Sequence, residues 1–240
     1  GDVFEEVIYS GSSLQFDIAG TEKTVKNMQK DDFLSYRESY YYTDNITISA
    51  VGGVDEKEVI KLVEKYFKDL PKKTKSKNVY LPFTANQIEK QIKLHSKKKE
   101  QTHVILGFLA DGKNYENKYA QTLLSSILGG GMSSRLFLEV RERRGLAYAV
   151  RTSMDRYQDI GYMGTYAGLE TDKAVEAVGI IYREHLKIAD DSKKITESEL
   201  KKAKEFLKGH LALALEDTRD VSSFFTDQSL FSTEIMAPIE

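Results

Sequence analysis

The sequence contains no cysteine, which excludes disulfides, thiolate metal sites and a cysteine nucleophile. It has only four histidines, His95, His103, His185 and His210, and no two are four residues apart. No histidine pair can therefore share one helical face towards a metal. Proline is scarce, with three in 240 residues. No apolar run approaches the ~20 residues that a membrane-spanning helix needs. Neither sign of charge dominates, and the net charge of -2 gives no reason to expect nucleic acid as a partner. The start of the chain carries no signal-peptide pattern, which, with the missing cysteines, tilts the expected compartment towards the cytoplasm. No Gly-x-Ser-x-Gly elbow of a serine hydrolase occurs.

What is present reads as a globular α+β protein. The composition is 40% hydrophobic and 30% charged, and the length suits two domains or one and a half. Val3, Phe4, Val7 and Ile8 suggest a short helix before a Gly11-Ser12-Ser13 turn. Thr21 is placed to cap a helix over 22–28, and a second helix is expected over 31–41. Asn45–Val51 is β-branched and alternating, and predicts a strand. Asp55 and Glu58 form a capping-box pattern ahead of a helix that stops before Pro71. Residues 71–87 hold two of the three prolines and a lysine run, and read as a solvated linker. Strands are then expected at Ile88–His95 and Thr102–Leu109, and a helix at Lys118–Leu128 that ends in Gly129-Gly130-Gly131. Ser133 or Ser134 should cap a helix to Arg144, with Leu136, Phe137 and Val140 inward and Gly145 ending it. Strands at Leu146–Asp155 and Ile160–Leu169 follow, then helices capped by Thr171 and by a Thr196/Glu199 capping box, and a last helix over 221–234. Strands grouped apart from paired helices predict a mainly antiparallel sheet with helices packed on one face.

The glycine run lacks the Gly-Lys-Ser/Thr of a phosphate-binding loop and follows a helix, so it reads as a helix-to-helix turn. His95 and His103 are expected on opposite faces of neighbouring strands. Glu184, His185 and His210 are expected to face solvent or an ordinary hydrogen bond, and Tyr40–Tyr42 to serve packing.

Three stretches carry a resemblance to a known family. They are DIAGTEKTV (17–25), YTDNITISAVGGVD (42–55) and, most specifically, GGGMSSRLFLEVRERRGLAYAV (129–150). Together they resemble the M16 zinc metallopeptidases, the pitrilysin, insulinase and mitochondrial-processing-peptidase group, over nearly the whole chain. The resemblance implies that 1–70 is the closing part of a zinc-bearing domain. It implies that 88–240 is a second, substrate-facing domain lacking its C-terminal end. The family's H-x-x-E-H segment and third ligand would fall before Gly1, so zinc is expected in the full-length protein and none is expected at a family site on this chain. Arg141 and Tyr148 match an arginine and tyrosine that, in the family, face the zinc and hold the substrate backbone. Both are donors suited to a carbonyl or a developing oxyanion.

The resemblance implies a zinc endopeptidase that cleaves peptides or presequences held in a chamber, this chain supplying the Arg/Tyr half. The alternative is a non-catalytic subunit of a heteromeric peptidase. The expected partners are a peptide or unfolded polypeptide and a second M16 half or subunit. The sheet of the second part is further expected to be completed by the first part of the same chain or of a neighbouring one, which would pair Asn45–Val51 with another strand.

Overall fold

Alternation and β-branched content around Thr102–Leu109 produce strand β1 (Gln101–Asp111), which is longer than its apolar centre. Two further strands, β2 (Ala147–Arg156) and β3 (Ile160–Glu170), form the hairpin expected from the turn around Gln158. In the computed structural model, which describes residues 1–72, 81–85, 89–98, 100–190, 194–232 and 234–238, these strands make one antiparallel sheet of order β1-β3-β2. The chain divides into two bodies, one of residues 1–16 with 83–211 and one of 17–82 with 212–240.

The first body holds the core. Strand register puts Val104, Ala167 and Val150 in one row, and Leu106, Thr165 and Thr152 in the next. These side chains share a face because the side-chain period of a strand is two. Helices α5 (Lys118–Gly129) and α6 (Ala174–Ala189) cover that face. Leu128, Leu136, Val140, Leu146, Val150, Ala167, Leu169, Ala177, Ile180 and Ile181 form the buried cluster between them. Burying each of the larger side chains contributes about 1.5–3 kcal/mol. On the opposite face lies a short helix, α1 (Asp2–Ile8), whose Phe4 packs edge-on against Tyr162 at 4.9 Å between centroids. A Cβ at Gly107 would clash with the tip of the Phe4 ring, so glycine leaves room for α1 where it crosses β1. Tyr9, fully buried, contacts Phe83, Tyr157 and Tyr162, and burial pushes its phenol well above the usual range.

Several expectations need correction. Thr171 does not cap α6: its hydroxyl bonds that of Thr102 (3.0 Å), and one 3-10 turn precedes the helix. Of the two candidate caps, Ser133 and Ser134, the Ser134 hydroxyl is buried and has no hydrogen-bond partner among the described residues, so it is not the cap. Ile88 lies outside the described residues, and 89–95 forms no strand. Of the two environments expected for Glu184 and His185, solvent or an ordinary hydrogen bond, the second holds: both are buried, Glu184 accepts from Lys187, and His185 bonds the Ile181 carbonyl. They follow Ala177, Ile180 and Ile181 at helical spacing and so fall on the core stripe of α6. The Thr196/Glu199 capping box forms as expected at the start of α7 (Glu197–Ala214).

The second body contains α2 (Glu22–Asn27), α3 (Lys30–Tyr40), α4 (Glu56–Phe67) and α8 (Thr218–Phe231). Thr21 caps α2, with Thr24 returning the bond, and Asp55 caps α4 by accepting from the Glu58 N–H (2.9 Å). Asn45–Val51 is not a strand: it pairs with no other strand among the described residues. A strand needs a neighbour's backbone groups, and β-branched alternation cannot supply them. This also counts against the expectation that the segment completes the sheet of the first body. No described residue of the second body is buried, and Phe33, Tyr36, Ile60 and Tyr66 stay exposed. The Tyr40–Tyr42 run accordingly makes no core, although the rings of Tyr36 and Tyr40 lie 4.5 Å apart.

Candidate functional site

Residues 129–150 begin where α5 ends against the sheet. A Cβ at Gly129 would stand 2.5 Å from the Thr152 backbone nitrogen, so helix and strand approach this closely only with glycine there. The run Gly129-Gly130-Gly131 is the expected helix-to-helix turn, with the Ser134 N–H donating to the Gly131 carbonyl at 3.0 Å.

The helix that follows is not an α-helix throughout. Phe137–Glu142 is a π turn, in which the Arg143 N–H donates five residues back to the Leu138 carbonyl (3.0 Å). Gly145, at φ +58°, then reverses the chain in the left-handed region that favours glycine. Its N–H donates to the Arg141 carbonyl (3.0 Å) and that of Leu146 to the Val140 carbonyl (2.9 Å), which ties the start of β2 to the π turn.

Arg141 and Tyr148 each sit at a one-residue irregularity. Arg141 lies in the π turn, exposed, with its guanidinium carbon 5.0 Å from the centre of the Phe137 ring. Opposite β2, Leu169 faces Ala147 and Gly168 faces Ala149, so Tyr148 is the extra residue of a β-bulge. Its side chain is 55% exposed, between the buried Ala147 and Val150. π turns and β-bulges both re-aim a side chain and are over-represented at functional sites. Among the described residues the two side chains share no hydrogen bond or ring contact.

The surrounding charges are largely committed. Arg135 is buried and gives two hydrogen bonds to Glu199 (2.7 and 3.0 Å) and one to the Lys194 carbonyl (2.9 Å). The hydrogen bond from Arg135 is the main cause that draws the Glu199 carboxyl down to about 2. Arg143 and Arg144 both pair with Glu139. The neighbouring strand ends in Glu170, which pairs with Lys173 at 2.7 Å.

Beneath the sheet lies a buried polar chain that sequence reasoning missed. The Thr152 and Thr165 hydroxyls are 2.8 Å apart, Thr165 is 3.1 Å from His185 Nε2, and His185 Nδ1 is 2.8 Å from the Ile181 carbonyl. Nδ1 must donate to that carbonyl, which leaves neutral Nε2 to accept from Thr165. Burial lowers the His185 pKa. The helical stripe of α6 was the available signal.

The donor set does not suit zinc. His185 is occupied as described, His103 Nδ1 lies 2.8 Å from the Tyr166 hydroxyl, and His210 Nδ1 is 3.0 Å from the Phe206 carbonyl. Among the described residues no three His, Asp or Glu side chains gather as a metal site.

Residues 27–207 match the family model described as the peptidase M16 inactive domain. The chain belongs to the M16 peptidase family. It is 34% identical over 223 residues to the uncharacterized zinc protease YmxG of Bacillus subtilis, covering 92% of this chain and 53% of that protein. This M16 chain thus spans about half the length of the relatives it matches. Its fold is shared with the peptidase M16 inactive domain from Pseudomonas fluorescens, at TM-score 0.76 and 21% identity, over 95% of this chain and 53% of that one. It is shared too with a chain of Complex III2 from Candida albicans, at TM-score 0.84 and 19% identity, over 99% and 57%. At these identities the likeness establishes the α+β fold.

Proposed function

We propose that this M16 chain is the substrate-holding half of a zinc endopeptidase, in which Arg141 and Tyr148 bind the peptide backbone. The observation that carries the reading is the paired irregularity: a π turn at Arg141 and a bulge at Tyr148, seven residues apart, each leaving its side chain exposed. A guanidinium and a phenol both carry hydrogen-bond donors, so both can donate to a substrate carbonyl or to the oxyanion that develops from it. The zinc ligands would come from residues other than these 240, and the chain's own chemistry is positioning rather than bond cleavage. The domain division that goes with this reading is 1–70 with the metal-bearing domain and 88–240 as the substrate-facing one.

A second reading makes the chain part of a non-catalytic subunit paired with an active one, and the fold shared with the Complex III2 chain favours it. An H-x-x-E-H motif in the remainder of the protein selects the first reading, and its absence the second. Both readings require peptide binding. Fluorescence anisotropy with a fluorescein-labelled, unstructured peptide rich in alanine and serine tests it. Arg141→Ala is expected to weaken binding about tenfold and Tyr148→Phe about threefold, in line with charged and neutral hydrogen bonds. Unchanged affinity in both variants would overturn the assignment of the site.

A further inference from the structure

Four arginines fall within Arg135–Arg144. Arg135 is held by Glu199, and Arg143 and Arg144 by Glu139. Arg141, among the described residues, pairs with no carboxylate, and its recorded partner is the face of the Phe137 ring. The π turn contributes to this division. It brings residues four and five apart onto one side, so Glu139 reaches both Arg143 and Arg144. Its carboxylate is thereby engaged by two cations, and among the described residues no other anion draws Arg141 aside.

Phe137 differs from a casual surface neighbour. Its ring is partly buried and packs against the core cluster that contains Leu136 and Val140. A guanidinium within ~6 Å of an aromatic centroid is attracted by the ring quadrupole. The charge therefore rests on a platform anchored in the core, and among the described residues its N–H donors meet no acceptor.

We propose that Phe137 is a positioning residue, whose anchored ring holds the Arg141 guanidinium so that its donors meet a substrate carbonyl with little rotamer freedom left to lose. This rests on the reading that Arg141 binds peptide. An ordered arginine binds more tightly than a free one, because less entropy is lost on contact.

The test uses the whole chain, the same fluorescein-labelled peptide and three variants: Phe137→Leu, Phe137→Tyr and Arg141→Ala. The Leu variant keeps an apolar side chain but no ring face, and should weaken binding about threefold, the size of an exposed cation–π contact. The Tyr variant keeps the ring and should bind within about 1.5-fold of the parent. The Arg141 Nε–H resonance should lose its ring-current shift in the Leu variant and keep it in the Tyr variant. Equal weakening by Leu and Tyr would mark a packing defect and overturn the proposal. Weakening by Arg141→Ala without weakening by Phe137→Leu would overturn it while leaving the binding role of Arg141 intact. Unchanged binding by Arg141→Ala would remove both.

Discussion

Replacing Glu199 with glutamine tests the link between the candidate segment and α7. Glutamine keeps an acceptor for the Thr196 capping box but removes the charge opposite Arg135. The arginine side chain is 4% exposed, so it cannot turn to water when its partner is neutralised. Breaking a buried ion pair from one side costs about 3–5 kcal/mol. The Lys194 carbonyl still accepts from Arg135 at 2.9 Å, which places the expected loss near about 3 kcal/mol. The pH dependence gives a second reading of the same pair. The folded Glu199 carboxyl sits at about 2, below its ordinary 4.5, so the folded state binds its proton less readily than the unfolded chain. Stability from this group is fully present above about pH 4.5 and is lost as pH falls towards 2. The glutamine variant should lack that component. Urea unfolding read through hydrogen exchange of β3 amides, at the centre of the sheet, reports on this body alone. A variant within about 1 kcal/mol of the parent, or an unaltered slope between pH 2 and 4.5, would refute the reasoning.

The buried polar chain predicts acid sensitivity of a different kind. His185 is neutral in the fold with its pKa lowered, so the unfolded chain takes up a proton first, and stability should begin to fall as pH drops below about 6.5. Thr165→Val strands the Thr152 hydroxyl and His185 Nε2, and should cost about 1–3 kcal/mol in urea unfolding at neutral pH. An unchanged midpoint would mean that the chain is not a stabilising network. Purified residues 1–240 should show no chelator-sensitive cleavage of an unstructured peptide, with or without added zinc. Zinc-dependent turnover abolished by a chelator would overturn the view that the metal ligands lie elsewhere.

Much of the first body was legible because its signals are local. The Gly145 reversal, the Thr196/Glu199 box and the β2–β3 hairpin each depend on residues a few positions apart, and each formed. The failures share another feature. The strand expected at Asn45–Val51 required a pairing partner, which no property of its own seven residues supplies. The cap expected from Thr171 was taken by Thr102, a residue 69 positions away. The placement of His185 was within reach of helical periodicity, yet its partners Thr165 and Thr152 come from two strands and only register brings them together.

For the candidate site the division is sharper. The sequence by itself determined the family and the α+β class, and it supplied Arg141 and Tyr148 as the candidates on which the proposal rests, since identity and spacing are one-dimensional properties. That Arg141 lies on a π turn and Tyr148 on a bulge was decided only in three dimensions. α and π helices differ by a single residue in hydrogen-bond register, and the same apolar pattern satisfies both. A bulge exists only relative to the strand opposite, here Leu169 and Gly168 of β3. The commitment of Arg135 is likewise a tertiary outcome, because Glu199, which holds it, arrives from 64 residues away and no local rule assigns it.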